Sequence, residues 1–156
     1  MSPNECPICS TRPERESRAI IENDSWRATL GANQGYVGTL FIELLEHQER
    51  LADLSNAQWL GFAAIVRQAE RIEAEAFGAA MFNWSCFMNN LYKATPPTPH
   101  VHWHVRPRYN REVVVAGQRF VDPNFGHHYD KEHLAHVSPA VKDGIADALR
   151  AAAKDG

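Results

Sequence analysis

The feature that most constrains this chain is a strict two-residue alternation of histidine and apolar side chains. It runs His100-Val101-His102-Trp103-His104-Val105. Side chains at every second position of a β-strand point to the same face, so a strand here places three imidazoles on one face and the apolar side chains in the core. Buried imidazoles need hydrogen-bond partners, so three in register indicate a functional face rather than a structural one.

Three interpretations of this histidine face are open. The first is a solvent-exposed polar face, the second is a metal site, and the third is nucleophilic chemistry on a phosphate. The next residues are Arg106, Pro107 and Arg108, and the nearest following carboxylate is Glu112. The basic residues weaken the metal interpretation and favour an anionic substrate. Arg106 and Arg108 either contact distal phosphates or face solvent or a dimer rim.

The first half of the sequence predicts a hairpin, a third strand and a long helix. Asn23-Asp24-Ser25 is a turn-forming triplet between two short strand-like segments. Residues 39–44 read as a largely buried strand. Ser55 and Gln58 make a capping box for an amphipathic helix that ends at Gly78.

The second half returns to strands and ends on a helix. Residues 79–90 are apolar and aromatic and predict a core strand, and three prolines within 94–99 require a loop. A short hairpin is predicted around Gly117, and Ser138-Pro139 begins a last helix. The gaps between strands are too short for repeated crossovers. We therefore predict an α+β fold with an antiparallel sheet, one long central helix and a C-terminal helix.

Length and charge exclude several classes of protein. A chain of 156 residues suits a single domain spanning 1–156. Its 16 basic and 19 acidic residues give a net charge of −3, which argues against non-specific binding to nucleic acid or to a membrane. The sequence has no long apolar run, and its N-terminus lacks the features of a secretory signal. We therefore expect a cytoplasmic protein with no nucleic-acid or membrane partner.

The three cysteines are too few for a disulfide framework. Cys6 and Cys9 form a C-x2-C motif, which in a reducing compartment indicates a metal knuckle or a redox dithiol. The redox alternative requires a preceding strand, for which the residues before Cys6 leave no room. Cys86 stands alone in an apolar segment and is expected to be a small buried hydrophobic residue.

Taken together, these motifs resemble the histidine-triad (HIT) superfamily, whose pattern is His-φ-His-φ-His-φ-φ with φ apolar. The resemblance covers roughly residues 5–109 and leaves 110–156 as a C-terminal extension of one HIT-like domain. Its companion motifs are the C-x2-C of many bacterial members, a histidine after the third strand (His47), an asparagine before the triad (Asn89) and a closing Pro-Arg pair (Pro107-Arg108).

The chain departs from the family pattern at three places. Position 106 is Arg where the pattern has an apolar residue. A Gly-His pair common before the third strand is replaced by Gly38-Thr39. The Gly-Gln pair that usually precedes the triad is replaced by Pro96-Pro97-Thr98, so the Gln amide that orients the leaving phosphate is missing.

The resemblance implies a role for each matching residue. His102, the middle histidine, is the nucleophile that attacks the α-phosphorus and forms a nucleotidyl-histidine, which water then hydrolyses. His104 hydrogen-bonds the phosphate oxygens or the leaving group. Asn89 contacts the nucleotide, the Thr98 hydroxyl is a candidate to replace the missing Gln amide, and Arg106 is a candidate contact for distal phosphates. The base and ribose are expected between the early strands and the helix.

The resemblance also implies a structural zinc ion and a homodimer. In members with the C-x2-C motif, four residues complete a zinc site, and here they are Cys6, Cys9, His47 and His100. Two thiolates and two imidazoles suit a closed tetrahedral zinc. The dimer contacts are expected on the helices or strands after position 56.

The implied activity is that of a nucleotide hydrolase or transferase resembling the dinucleoside polyphosphate hydrolases. Its substrate is a dinucleoside polyphosphate such as diadenosine tetraphosphate, or a nucleoside phosphoramidate. The departures from the pattern keep an alternative open, a zinc-stabilised nucleotide-binding or interaction module with little turnover. His127-His128 follows a turn and is a candidate lid over the substrate.

Overall fold

The computed structural model describes residues 6–154, and the predicted domain limits at residues 1, 5 and 156 fall outside that range. The helices are α1 Pro7–Ser10, α2 Arg12–Ser17, α3 Asn56–Phe77 and α4 Pro139–Lys154. The strands are β1 Ala19–Glu22, β2 Trp26–Leu30, β3 Leu40–Leu44, β4 Met81–Ser85, β5 His102–Arg108, β6 Val113–Val115 and β7 Gln118–Phe120. Short 3-10 turns occupy Leu51–Asp53 and Asn89–Tyr92.

Five strands form one antiparallel sheet in the spatial order β1-β2-β3-β5-β4. At its centre, Phe41 of β3 lies opposite His104 of β5, and Glu43 lies opposite His102. Because side chains alternate across a strand, His102 and His104 share one face of the sheet, and Trp103 points to the other. The predicted α+β fold, with its antiparallel sheet, long helix and C-terminal helix, is confirmed.

α3 covers the Trp103 face of the sheet, where the ring of Phe62 stacks on Trp103 with centroids 4.7 Å apart. The predicted capping box begins the helix: Gln58 N donates to Ser55 Oγ, and Ser55 N donates to the Gln58 side chain. Gly78 ends it with φ 73°, a left-handed conformation that glycine adopts without strain. Burying each large aliphatic side chain of α3 contributes about 1.5–3 kcal/mol. The fully buried residues of its inner face are Ile65, Ala69 and Ile72.

Two strand boundaries differ from the prediction. The alternating pattern placed His100 in a strand, but β5 begins at His102. Val101 N donates to Gln48 O, and Val101 O accepts from Leu44 N. The residues before β5 therefore bond to the main chain at and beyond the end of β3 and do not extend the regular strand pairing. β4 ends at Ser85, well before residue 90, because the chain passes into a 3-10 turn.

The residues after 110 form part of the hydrophobic core. β6 and β7 form the predicted hairpin, with Ala116 and Gly117 at positive φ in its turn. α4 packs on α3 and β1 through an apolar stripe. The buried residues of this stripe include Val141, Ile145 and Leu149. Within residues 6–154, none of the helices combines the length and the hydropathy that a bilayer-spanning segment requires.

Arg108 ties this C-terminal region to the sheet. Its guanidinium is fully buried and makes two hydrogen bonds to Asp122, of 2.6 and 3.0 Å. It also donates to the side chain of Asn83 and to the carbonyls of Asn124 and His127. The expectation that Arg108 contacts phosphate or faces solvent is therefore wrong, because its donors are used within the protein.

A buried carboxyl group lies near the C-terminal end of α3. Glu73 is fully buried, and no described residue makes a well-aligned hydrogen bond to either of its carboxyl oxygens. Burial raises its pKa well above the usual range, and the neighbouring Tyr109 hydroxyl opposes that shift. Gly38 lies so close to the Glu73 carboxyl group that a Cβ atom at position 38 would collide with it. Glu73 therefore takes up a proton when the chain folds.

We expect Glu73→Gln to flatten the pH dependence of stability. Between the unfolded pKa of 4.5 and the raised folded value, the folded protein holds one more proton than the unfolded chain. Wild-type stability should therefore fall as pH rises through that window, by up to about 1.4 kcal/mol per pH unit from this group. Urea unfolding of both proteins from pH 5 to 8 measures the difference. Glu75→Gln, on the same helix but partly exposed and paired with Arg71, is the control. Parallel curves for wild type and Glu73→Gln would show that the pKa is not raised.

Candidate active site and metal centre

His102 is held in one tautomer by the main chain. Its Nδ1 lies 2.8 Å from the carbonyl oxygen of His100, and a carbonyl can only accept, so Nδ1 carries the proton. Nε2 is then the unprotonated nitrogen of the neutral ring. Burial lowers the pKa of His102, which keeps the ring neutral near pH 7, and the Phe87 main chain also lies near the ring and opposes the fall of its pKa. A neutral imidazole with a fixed tautomer is a competent nucleophile.

His104 lies two residues along β5 on the same face. Burial, followed by the nearby charges of His102 and Arg106, lowers its pKa to about 4. Phe41 packs against both histidines, stacked on His102 at 4.8 Å and edge-on to His104 at 5.3 Å. The two imidazoles are thus positioned by one aromatic ring and are both uncharged at neutral pH.

A cavity of about 910 Å³ opens beside His104. It lies on the histidine face of the sheet, opposite the face that α3 covers. The expectation that the base and ribose lie between the early strands and the helix stays a prediction. The cavity walls come from β2, β3, β5, α2, the loop 31–39, the segment 130–137 and the start of α4. Basic side chains outnumber acidic ones in the lining. They are Arg15, Arg18, Arg106, Lys131, Lys142 and Arg150, against Glu14, Asp130 and Asp143.

Three further residues predicted to bind substrate, Arg106, Asn89 and Thr98, differ in their position relative to the cavity. Arg106 lines the cavity, donates to Ser85 Oγ at 3.1 Å and lies over the ring of Tyr129. Asn89 is exposed in a 3-10 turn, and Thr98 is buried with its backbone N–H bonded to Leu91 O. Neither of these two lines the cavity. Their roles toward a nucleotide therefore stay predictions.

The four predicted zinc ligands come together although they are far apart in sequence. Cys6 and Cys9 belong to α1 and its N-cap, His47 follows β3, and His100 precedes β5. Their ligand atoms all lie within 4.8 Å of one another. Cys6 Sγ is 3.3 Å from His100 Nδ1, and His47 Nδ1 is 3.2 Å from the same atom. Tetrahedral zinc with bonds of 2.0–2.3 Å requires ligand separations of about 3.3–3.8 Å, so the donor set fits this ion.

His100 is oriented toward this cluster by its other ring nitrogen. Its Nε2 donates to the carbonyl of Leu44 at 2.8 Å, which leaves the Nδ1 lone pair directed at the cysteines. Burial lowers its pKa to about 4, so the ring is neutral and able to ligate a metal. The prediction of a structural zinc site is confirmed. The two cysteines and two histidines that were predicted as ligands form one cluster.

Sequence reasoning missed two residues beside the histidines. Phe41 and Glu43 share the histidine face of β3, and Glu43 is only 2% exposed. Burial raises the pKa of the Glu43 carboxyl, while the charges of Arg15 and Arg27 oppose that rise. A carboxylate within a strand predicted to be largely buried was the available signal, because buried charges need partners.

Comparison with known proteins places the chain in a family. A family model for the HIT domain matches residues 12–111. No curated protein sequence matches the chain significantly.

Several solved structures share its fold. A zinc-bound histidine triad family protein from Mycobacterium smegmatis is 20% identical with a TM-score of 0.64, over 99% of this chain and 96% of that one. A uridylyltransferase is 14% identical with a TM-score of 0.65, over 96% of this chain and 45% of its own. Diadenosine triphosphate hydrolase from Plasmodium falciparum, in complex with cyclomarin A, is 15% identical with a TM-score of 0.51, over 62% and 65%.

At such identities the solved structures show a common fold. The family model spans well over half of the sequence and includes all three histidines, two of them on β5 and His100 just before it. This chain therefore belongs to the HIT family.

Proposed function

We propose that this protein is a nucleotide hydrolase that acts at the α-phosphate through a covalent nucleotidyl-His102. The observation that carries the proposal is the His102 ring, held by the His100 carbonyl and next to His104, which lines a cavity rich in basic side chains. A neutral imidazole forms a labile phosphoramidate with a phosphoryl group, which water can cleave.

The reaction proceeds in two displacements. In the first, the bond between His102 Nε2 and the α-phosphorus forms as the bond from phosphorus to the leaving oxygen breaks. In the second, water attacks the phosphorus and loses a proton to the solvent, the N–P bond breaks, and His102 regains its lone pair. His104, neutral at pH 7, hydrogen-bonds the phosphoryl oxygens or the leaving group in both steps.

The substrate is a polyanionic dinucleotide in preference to a singly charged nucleotide ester. Six basic side chains against three acidic ones give the cavity an excess of positive charge in a protein whose net charge is −3. Such a cavity favours dinucleoside polyphosphates such as diadenosine tri- or tetraphosphate over nucleoside phosphoramidates. The fold shared with the Plasmodium falciparum hydrolase supports this class.

Zinc has a structural role in this proposal. Cys6, Cys9, His47 and His100 hold the ion, which, when bound, supplies a crosslink between α1, the end of β3 and the start of β5. A site closed by four protein ligands leaves no position for substrate or water, so His102 and His104 carry out the chemistry.

A small substrate panel tests the proposed activity. Diadenosine tri- and tetraphosphate, UDP-glucose and adenosine 5′-phosphoramidate are each incubated with the zinc-loaded protein, and released mononucleotide is measured by chromatography. Release from the diadenosine polyphosphates is expected to be fastest. Nucleotide binding without release from any compound would favour the alternative, a binding module with little turnover.

We expect His102→Ala to abolish turnover while nucleotide affinity stays within about tenfold, because the side chain makes the covalent bond and little of the ground-state binding energy. Rapid quench with substrate labelled at the α-phosphate should trap acid-labile label on the wild type only. His136→Ala, which removes an exposed histidine from a loop, is the control. Turnover by His102→Ala near the wild-type rate would exclude the triad as the catalytic centre.

We expect Cys9→Ser to lose the metal and lower Tm by on the order of 10 °C, since ligand binding to the folded state alone stabilises it. Wild type purified without chelator should contain about one zinc per chain by elemental analysis. Cys86→Ser is the matched control, because Cys86 lies outside the cluster and should keep both zinc and Tm. Equal metal content in wild type and Cys9→Ser would exclude the four-ligand site.

We also propose a homodimer formed through β4 and the start of α3. β4 is an edge strand of the sheet, and unpaired edges invite pairing with another chain. Trp59 contacts Phe62, whose ring contacts Trp84 of β4, and the adjacent Leu60 is 73% exposed. Apolar exposure of this kind beside an open edge suits an interface.

Light scattering after size exclusion should give twice the chain mass for wild type and the chain mass for Leu60→Asp, because a buried carboxylate in the interface is costly. Leu134→Asp, at a residue 68% exposed on the C-terminal segment, is the control and should remain dimeric. A monomeric wild type would contradict the proposal.

A further inference from the structure

We propose that Arg15 is a further catalytic residue, whose guanidinium contacts the phosphoryl oxygens of the substrate at His102 and stabilises the charge that develops on them. The inference rests on the proposed function and adds to it a residue outside the histidine motif. Arg15 belongs to α2 and lies six residues after Cys9, so the same N-terminal segment carries two zinc ligands and this arginine.

Arg15 lies over the aromatic ring that positions the histidines. Its guanidinium carbon is 4.4 Å from the centroid of the Phe41 ring. The same ring stacks on His102 and meets His104 edge-on. Arg15 and His104 also line the same cavity. The guanidinium therefore lies at the wall of the cavity that His104 also lines, against the aromatic ring that both histidines contact.

A buried carboxylate fixes Arg15 in this position. Its Nε lies 2.8 Å from Glu43 Oε2, and Arg27 approaches the other oxygen of Glu43 at 3.6 Å. Glu43 itself sits directly opposite His102 in the β3–β5 pairing. The ion pair links the side chain of α2 to the strand beside the nucleophile, which restricts the guanidinium to one region of the cavity wall.

The Nε donor of Arg15 has no hydrogen-bond acceptor within the described part of the chain. Its close approach to Glu43 is an ion pair and is not aligned as a hydrogen bond. Arg108 is the contrasting case, since it is fully buried and its donors bond to Asp122, Asn83 and two carbonyls. Arg15 keeps 23% of its side chain exposed, which leaves its fork available to a phosphate.

The reaction needs a cation at this place. In the proposed reaction His102 forms the N–P bond, so it does not also donate to the phosphoryl oxygens. Thr98, in the segment where the family pattern has a Gln, does not line the cavity. As the N–P bond forms and the P–O bond breaks, negative charge on the phosphoryl oxygens has to be stabilised. Arg15 does this without exchanging a proton.

Three variants test the assignment on the best substrate of the panel. Arg15→Gln should lower kcat/KM by about 100-fold, as loss of a transition-state donor does. Arg15→Lys should recover part of that loss, because it restores the charge but not the two-pronged geometry. Arg67→Gln is the control: Arg67 is exposed on α3 and is not in the cavity lining, so this variant should leave the rate close to wild type.

A double variant separates catalysis from folding. Arg15→Gln alone leaves the buried Glu43 with Arg27 as its remaining cationic contact, which can destabilise the protein. Arg15→Gln/Glu43→Gln removes the unmatched charge, so Tm and zinc content should return toward wild type while the rate stays low. Recovery of the rate together with Tm would overturn the proposal, because the loss would then be structural.

Affinities for AMP and adenosine, measured by calorimetry, supply a readout that does not depend on turnover. Wild type should prefer AMP, and Arg15→Gln should lose about tenfold of that preference with its adenosine affinity unchanged. A folded Arg15→Gln protein with wild-type turnover and wild-type AMP preference would overturn the assignment while leaving the proposed hydrolase intact. A wild type that neither binds AMP nor hydrolyses any panel compound would instead contradict the proposed function, and this inference with it.

Discussion

The orientation of His100 is the constraint on which the site depends. Its imidazole donates to the Leu44 carbonyl and turns Nδ1 toward the two cysteines, and its own carbonyl fixes the tautomer of His102. One residue thereby joins the metal cluster to the proposed nucleophile, His102, through a single hydrogen bond from its main-chain carbonyl. It leaves the strand ladder to do so, which explains why β5 starts two residues later than the alternating pattern indicates.

The buried ionisable groups of the core have different roles, which depend on their partners. Arg108 and Asp122 satisfy each other fully and tie the C-terminal segment to the sheet, where a close bidentate pair offsets its own desolvation. Glu43 lies between two arginines and keeps one of them at the wall of the cavity. Glu73 has no cationic partner among the described residues, so burial favours its neutral form. The three cases show structural, positioning and proton-binding uses of buried ionisable groups in one small core.

Local patterns were sufficient for most of the fold, because the forces that form its elements act over a few residues. The capping box at Ser55, the left-handed stop at Gly78 and the hairpin turn at Gly117 each follow from the backbone preferences of those residues. The side of the sheet that holds the cavity was not predictable in this way. It depends on which face α3 covers, and that is decided by packing between segments distant in sequence.

Residue identity and a period of two were enough to predict the histidine face of β5 and, through the resemblance to the HIT family, the donor types of the metal cluster. The neutral state of the histidines follows from their burial in the folded chain. The tertiary structure was needed to show that Arg108 pairs with Asp122, whereas Arg15 lines the cavity. Both are arginines close to the ends of secondary-structure elements, and nothing local distinguishes them. Their difference arises from the partners that folding brings from other strands, and those long-range contacts are not encoded in any single stretch of the chain.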